Sequence, residues 1–167
     1  MDTTLGQLFT GFSIQKLQQY SSEIEKCVSR LNDARIWSRG GDNENAVGNL
    51  ILHLCGNVNQ RIAAINGRSY DRVRELEFST RGGASASELV AMLRASVAEA
   101  VSTISGLSAE RLQEQIVTGE FKHSILESIY HMEVHFALHS GQIISATKQL
   151  TGEDLGFYKP PAAAKHV

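Results

Sequence analysis

Four long runs of apolar residues at three- and four-residue spacing constrain this chain more than any other feature. That period stacks side chains along one face of an α-helix, whereas a strand would need strict alternation. In the first run Leu17, Tyr20, Ile24, Val28 and Leu31 recur, and Leu8, Phe9 and Phe12 extend the pattern toward the N-terminus. Gly6 and Gly11 oppose that extension, since glycine is a poor helix former. The second run covers Asn45 to Ile65, with Val47, Leu50, Ile51, Leu54, Val58 and Ile62 on one stripe. The third begins near Ser85 and ends near Gly106, with Leu89, Leu93, Val97, Val101 and Ile104 as its apolar face. Ser85 and Glu88 have the spacing of a capping box. The fourth runs from Ser124 to Leu150 with Ile125, Ile129, Met132, Phe136 and Ile143 as its stripe, and Gly152 is placed to stop it.

The connections order these helices. Runs one and two are joined by a short turn-rich stretch, Trp37 to Asn43, which suits an antiparallel pair. Runs two and three are joined by Gly67 to Ala84, polar, glycine-containing and long enough to travel the length of a bundle. The expected fold is therefore all-α: a four-helix bundle in up-down-down-up order, with residues 67–84 as the crossover and residues 1–167 as one domain. Ala109 to Leu112 predicts one more short helical turn, and Gln115 to Thr118 is ambiguous between helix and extended chain. The tail cannot continue a helix past Pro160 and Pro161, and Phe157 and Tyr158 are expected to pack back on the bundle.

Composition narrows the setting. The net charge is −2 with the basic residues scattered, and the usual nucleic-acid motifs are missing, so no nucleic-acid partner is expected. No apolar stretch approaches the ~20 residues of a membrane span, so no membrane partner is expected. Met1 to Gly6 lacks the basic start and apolar run of a signal peptide. Cys27 and Cys55, without a C-x-x-C or a pairing pattern, read as reduced buried thiols. The expected location is cytoplasmic.

Chemistry concentrates in the histidines. The chain has six, and His131, His135 and His139 fall within nine residues of the fourth helix. At about 100° per residue, His139 lies about 40° from the centre of the apolar stripe, His135 about 80° and His131 about 120°. Gln142 falls about 100° from that centre, near His135. On the second helix His53 shares a side stripe with Asn49, Asn57 and Gln60. If the two helices pack together, these polar strips meet and three imidazoles surround one point. Three neutral imidazoles suit a divalent ion such as zinc or nickel and leave coordination positions open, which is the arrangement of a catalytic site. The same residues also fit polar side chains hydrogen-bonded at the margin of a core, and spacing does not separate the two.

Near-miss motifs fall away. His131-Met-Glu-Val-His135 has its Glu one position away from the zinc-protease pattern, about 100° around the helix, so Glu133 reads as solvated or salt-bridged. Cys55 points away from His53 and reads as core. Trp37 reads as an aromatic lid on the bundle core, with the mouth of a pocket as the alternative. Asn57 and Gln142, each one turn from a candidate ligand, are expected to border the metal cavity, with Asn49 and Trp37 as further candidates.

Gly48-Asn49-Leu50-Ile51-Leu52-His53-Leu54 on one helix and His135-x-x-x-His139-Ser140-Gly141-Gln142-Ile143 on another resemble the DinB/YfiT-like superfamily of candidate metalloenzymes. The stretch Leu150 to Tyr158 is similar to one bacterial branch of it. The resemblance covers nearly the whole chain. It implies the up-down-down-up bundle, usually as a homodimer. It also implies one divalent metal, commonly nickel or zinc, held by three histidines, which here are His53, His135 and His139. Some relatives are transferases or isomerases that use a low-molecular-weight thiol, mycothiol or bacillithiol; others are described as metal-dependent hydrolases. Ser140 stands where other branches commonly have Arg. His131 lies outside the implied triad, as a neighbour of the ligands, a proton carrier or a surface residue. Two functions are therefore expected: a metal-dependent enzyme acting on a small molecule, or a metal-binding stress or interaction protein without turnover.

Overall fold

The computed structural model describes residues 4–157, and these are mostly helical. The long helices are α1 (Leu5–Val28), α3 (Val47–Ile65), α5 (Ala86–Ser105) and α6 (Ile125–Thr151). Two short ones, α2 (Asp33–Ile36) and α4 (Arg74–Ser79), lie in the connections, and a single 3-10 turn covers Arg111–Gln113. Strands β1 (Gln115–Thr118) and β2 (Phe121–Ser124) form an antiparallel hairpin in which Gln115 faces Ser124 and Thr118 faces Phe121. Tyr158 and the two prolines lie outside the described residues.

Local chemistry sets the helix ends. Ser85 Oγ accepts the Glu88 amide, and Glu88 returns a carboxylate to the Ser85 amide at 2.7 Å. Ser124 and Glu127 repeat that exchange at the start of α6. The helix ends at Gly152, whose left-handed backbone lets its N–H reach Lys148 O at 2.8 Å. At the N-terminus the helix begins at Leu5, earlier than the first firm apolar positions indicate. Thr4 and Gln7 form a reciprocal cap there, Gln7 N donating to Thr4 Oγ1 and Thr4 N to Gln7 Oε1. This cap offsets the two glycines. Leu31 falls just outside the helix but is still buried.

The apolar stripes meet in one core. Leu17, Ile24, Ile51, Leu54, Ile62, Leu93, Ile104, Ile129 and Phe136 are fully buried. Cys27 and Cys55 are buried free thiols within it, and burial pushes the Cys55 thiol up to about 11. Arg61 on α3 donates to Ser128 on α6, while His53, two turns earlier on α3, meets His135, about two turns later on α6. These two helices therefore run in opposite directions. Among the described residues no helix is long and apolar enough to cross a membrane.

Three features depart from the sequence reading. The loop after α1 contains α2, capped by Asn32 Oδ1 on the Arg35 amide. The crossover of residues 67–84 contains a short helix, α4, which folds onto α3. The ambiguous stretch at Gln115 is a strand whose partner, Phe121–Ser124, has no apolar alternation to announce it. Glu133 is a fourth correction: it is half-buried beside Ser13 of α1, and loss of water raises its pKa above the usual carboxylate range.

Truncating Ile104 to Ala, at a fully buried position near the C-terminal end of α5, should cost about 2–5 kcal/mol of stability. Urea unfolding should show it as a lower midpoint with an unchanged slope. A loss under about 1 kcal/mol would contradict the packing described here.

Candidate metal centre

The site begins with the side chain of Asn49, fully buried in the first turn of α3. Its Oδ1 accepts the Ala46 amide and an Arg39 guanidinium N–H, while its Nδ2 donates to the carbonyls of Glu77 and Thr80 at 2.8 and 2.9 Å. Asn49 thus fastens α4 against α3. Its hydrogen-bonding capacity is taken up by the crossover and by the segment before α3, not by a metal cavity. Trp37 is likewise away from the histidines. Its ring lies on Gly48, where a Cβ would come within 2.9 Å, and its Nε1 donates to Ala84 O at 2.8 Å. It is the lid on the core rather than the mouth of a pocket.

Docking of α4 brings Glu77 into the protein at 9 % exposure. Its Oε2 lies 2.7 Å from His53 Nδ1, and both its oxygens accept from Arg72, at 2.6 Å from Nε and 2.7 Å from Nη2. Gly56 makes room for this carboxylate, because a Cβ there would stand 2.1 Å from Glu77 Oε1. Glu77, Arg72 and Gly56 escape a reading of sequence alone. A single Glu in a polar crossover has no period, and its partner stands 24 residues away.

His53, His135 and His139 come together. His135 Nε2 lies 2.9 Å from His53 Nε2 and 3.1 Å from His139 Nε2, and all three ligand atoms fall within 4.8 Å of one another. The outer nitrogens determine what the inner ones carry. His53 Nδ1 faces a carboxylate and so bears the proton, leaving Nε2 with a lone pair. His139 Nδ1 faces Gln142 Oε1 at 2.7 Å with the same consequence. His135 Nδ1 is buried without a partner. If the His135 proton sits on Nε2, it serves one neighbouring lone pair well and leaves Nδ1 an unpaired acceptor. If it sits on Nδ1, three lone pairs confront one another. Either state leaves buried polar atoms unpaired, at about 1–3 kcal/mol each.

Electrostatics keep His53 and His135 neutral. Burial, then the neighbouring His139 and His53, push His135 down to about 3. Burial also lowers His53, outweighing the Glu77 carboxylate that would raise it. Neutral imidazoles with convergent lone pairs are the form that ligates a cation. The separations from His135 Nε2 to its two neighbours are those expected of ligands about 2.0–2.1 Å from one ion, so these three residues could hold a metal.

The remaining candidates surround this cluster. His131 is exposed and stacks on His135, with centroids 5.9 Å apart, and is not one of the converging three. Gln142 is exposed yet bound to His139. Asn57 and His131 line a cavity of about 570 Å³ that begins one helical turn from the histidines and is bounded by Arg61, Arg72 and the β1–β2 hairpin. Phe78 of α4 lies against the His53 ring at 4.6 Å.

The fold is similar to that of several solved proteins. A conserved protein from Enterococcus faecalis superposes with a TM-score of 0.74 at 17% identity, over 86% of this chain and 98% of that one. The DinB-like protein YjoA from Bacillus subtilis gives 0.67 at 11%, over 89% and 99%. A DinB-like protein from Bacillus cereus gives 0.70 at 14%, over 95% and 100%. Likeness at these identities concerns the fold alone. No curated protein matches the chain significantly. Residues 4–160 match the family model described as "Protein of unknown function (DUF1572)". The chain belongs to that family, and its fold is like that of the DinB-like proteins.

Proposed function

We propose that this protein binds one divalent cation, nickel or zinc, through Nε2 of His53, His135 and His139, and that it is a metal-dependent enzyme acting on a small molecule. The observation that carries the reading is the convergence of three imidazole lone pairs whose outer nitrogens are committed to Glu77 and Gln142 or left without a partner. A three-histidine centre of this kind supplies Lewis acidity, serving either a hydrolase or a transferase or isomerase that uses a low-molecular-weight thiol. The chain's own residues do the rest. Glu77 fixes the His53 tautomer and stabilises positive charge placed on that ring; Arg72 and Gly56 hold Glu77 in position. Gln142 does the same for His139 without adding charge. Phe78 screens one side of His53 from water. The second reading, a metal-binding protein without turnover, is favoured by the position of the adjacent cavity, which is lined by His131 and Asn57 rather than by the three histidines.

We also infer the up-down-down-up four-helix bundle. Its support is the pairing of residues between helices. Ser13 lies by Glu133 and Cys27 by Thr147, so α1 and α6 ascend together. Cys55 lies by Ser96, and Asn66 bonds Thr103, so α3 and α5 descend together. A cytoplasmic location is supported by the two buried free thiols.

A homodimer is supported by an apolar face that nothing among the described residues covers. Leu5, Leu8 and Phe12 on α1 and Tyr130, Val134 and Leu138 on α6 are all more than half exposed. They flank the seam where Ser13 meets Glu133. In sedimentation the wild type should run as a dimer, and Leu8→Arg with Tyr130→Asp should give a folded monomer; a monomeric wild type would remove this proposal.

Protein purified without a histidine tag should carry about one equivalent of nickel or zinc per chain, as one three-histidine site requires. His53→Ala, His135→Ala and His139→Ala should each abolish stoichiometric binding, whereas His131→Ala should retain it. Loss in His131→Ala with retention in His139→Ala would reverse the assignment. Glu77→Gln should keep the metal site but weaken it roughly 10–100-fold. An unchanged affinity would show that the carboxylate does not support the ligand.

A further inference from the structure

The cavity beside the histidines has a chemistry of its own. Arg61 reaches into it from α3, two turns beyond His53 and one beyond Asn57. Its Nη1 donates to Ser128 Oγ at 3.2 Å and lies 3.5 Å from His123 Nε2. Its Nε is buried without a partner, and among the described residues no carboxylate pairs with it and nothing accepts from Nη2. Arg72, the other arginine of this cavity, is by contrast engaged by Glu77, by Gln60 Oε1 and by the His53 carbonyl. Asn57 is 7 % exposed, its Oδ1 lacks a partner, and its Nδ2 donates to nothing among the described residues. Lys122 adds a further positive charge from the hairpin. The acidic residues of the lining are Glu120, at the hairpin tip, and Glu127, whose Oε2 is taken by the Ser124 amide and hydroxyl.

A half-buried guanidinium without a counter-ion is costly to maintain unless an anion completes it. Burial and the nearby Arg72 lower the Arg61 pKa to about 10, so the group stays charged at neutral pH while resting in an environment that penalises the charge. The planar fork offers paired N–H donors matched to a carboxylate or phosphate.

We propose that this cavity is an anion-binding subsite, in which Arg61 Nη2 and Asn57 Nδ2 receive the carboxylate or phosphate of a small organic anion beside the metal centre. The placement also bounds the size of the ligand. Arg61 bonds Ser128, which precedes His135 by seven residues, or about 10 Å of helix. A molecule anchored at Arg61 and reaching the histidines would therefore be elongated, with its anionic group at the end away from the metal. Only that last statement, that the anion is the far end of what the metal centre acts on, rests on the metal-dependent function proposed above. Anion binding itself does not.

Calorimetric titration of the metal-free protein with hexanoate and with hexyl phosphate tests the subsite independently of the metal. Wild type should bind at least one of the two, and which one it prefers identifies the carboxylate or the phosphate as the anchor. Arg61→Gln should weaken that binding at least tenfold while leaving metal stoichiometry at the histidines unchanged. Arg61→Lys should recover part of it, and Lys122→Gln, at the rim, should cost less than threefold. In nitrogen-edited spectra the Asn57 side-chain amide should shift on titration, which provides a readout in wild type if an Arg61 variant is poorly folded. No binding of either probe by wild type, equal affinity in Arg61→Gln, or an unmoved Asn57 amide would overturn the proposal. Loss of metal binding in the histidine variants with anion binding intact would leave the subsite standing and concern the metal centre alone.

Discussion

The carboxylate of Glu77 ties the polar part of this molecule together. It accepts from Arg72 on both oxygens, receives His53 Nδ1–H, and occupies space that exists because residue 56 has no side chain. Its backbone carbonyl is held by Asn49. One buried group thus fixes the crossover against α3, sets the tautomer of a candidate ligand and directs a lone pair into the space facing α6. Removing any partner would leave charge or donors buried and unpaired, which is costlier than the loss of one surface ion pair.

From that brace the state of the other histidines follows. His53 Nε2 is an acceptor, and so is His139 Nε2 through Gln142. His135, between them and short of water, is held from carrying a proton. A cluster that concentrates lone pairs is unfavourable when empty and favourable around a cation. The same logic of incomplete partnering recurs one and two turns along α3, where Asn57 and Arg61 leave donors unmatched and point to an anion instead. The candidate cation and anion sites lie in line along one polar edge of the helix, on the side facing α6.

Much of this was legible in the amino-acid order. The long helices follow from their apolar period, and their ends from Ser85 with Glu88, Ser124 with Glu127, and Gly152, because those signals are local. The meeting of His53 with His135 and His139 was legible as a consequence of two polar strips bordering two apolar stripes. What was not legible is tertiary. Glu77 acquires its role when α4 docks, and nothing in residues 67–84 specifies the partner. Asn49 and Asn57 share one stripe with His53, yet one fastens a loop and the other lines a cavity, a difference decided by what packs above each. Strand β2 has no alternation to mark it, and α1 starts early because a Thr4–Gln7 cap outweighs the glycines that follow.

X-ray absorption at the metal edge tests the central claim most directly, because it reports the ligands without reference to activity. Protein reconstituted with one equivalent of zinc or nickel should show imidazole scattering from three histidines, with nitrogen at about 2.0–2.1 Å for zinc, falling to two imidazoles in His139→Ala with metal retained by excess ion. A spectrum with sulfur in the coordination shell, or with fewer than two imidazoles in the wild type, would contradict a centre built from His53, His135 and His139.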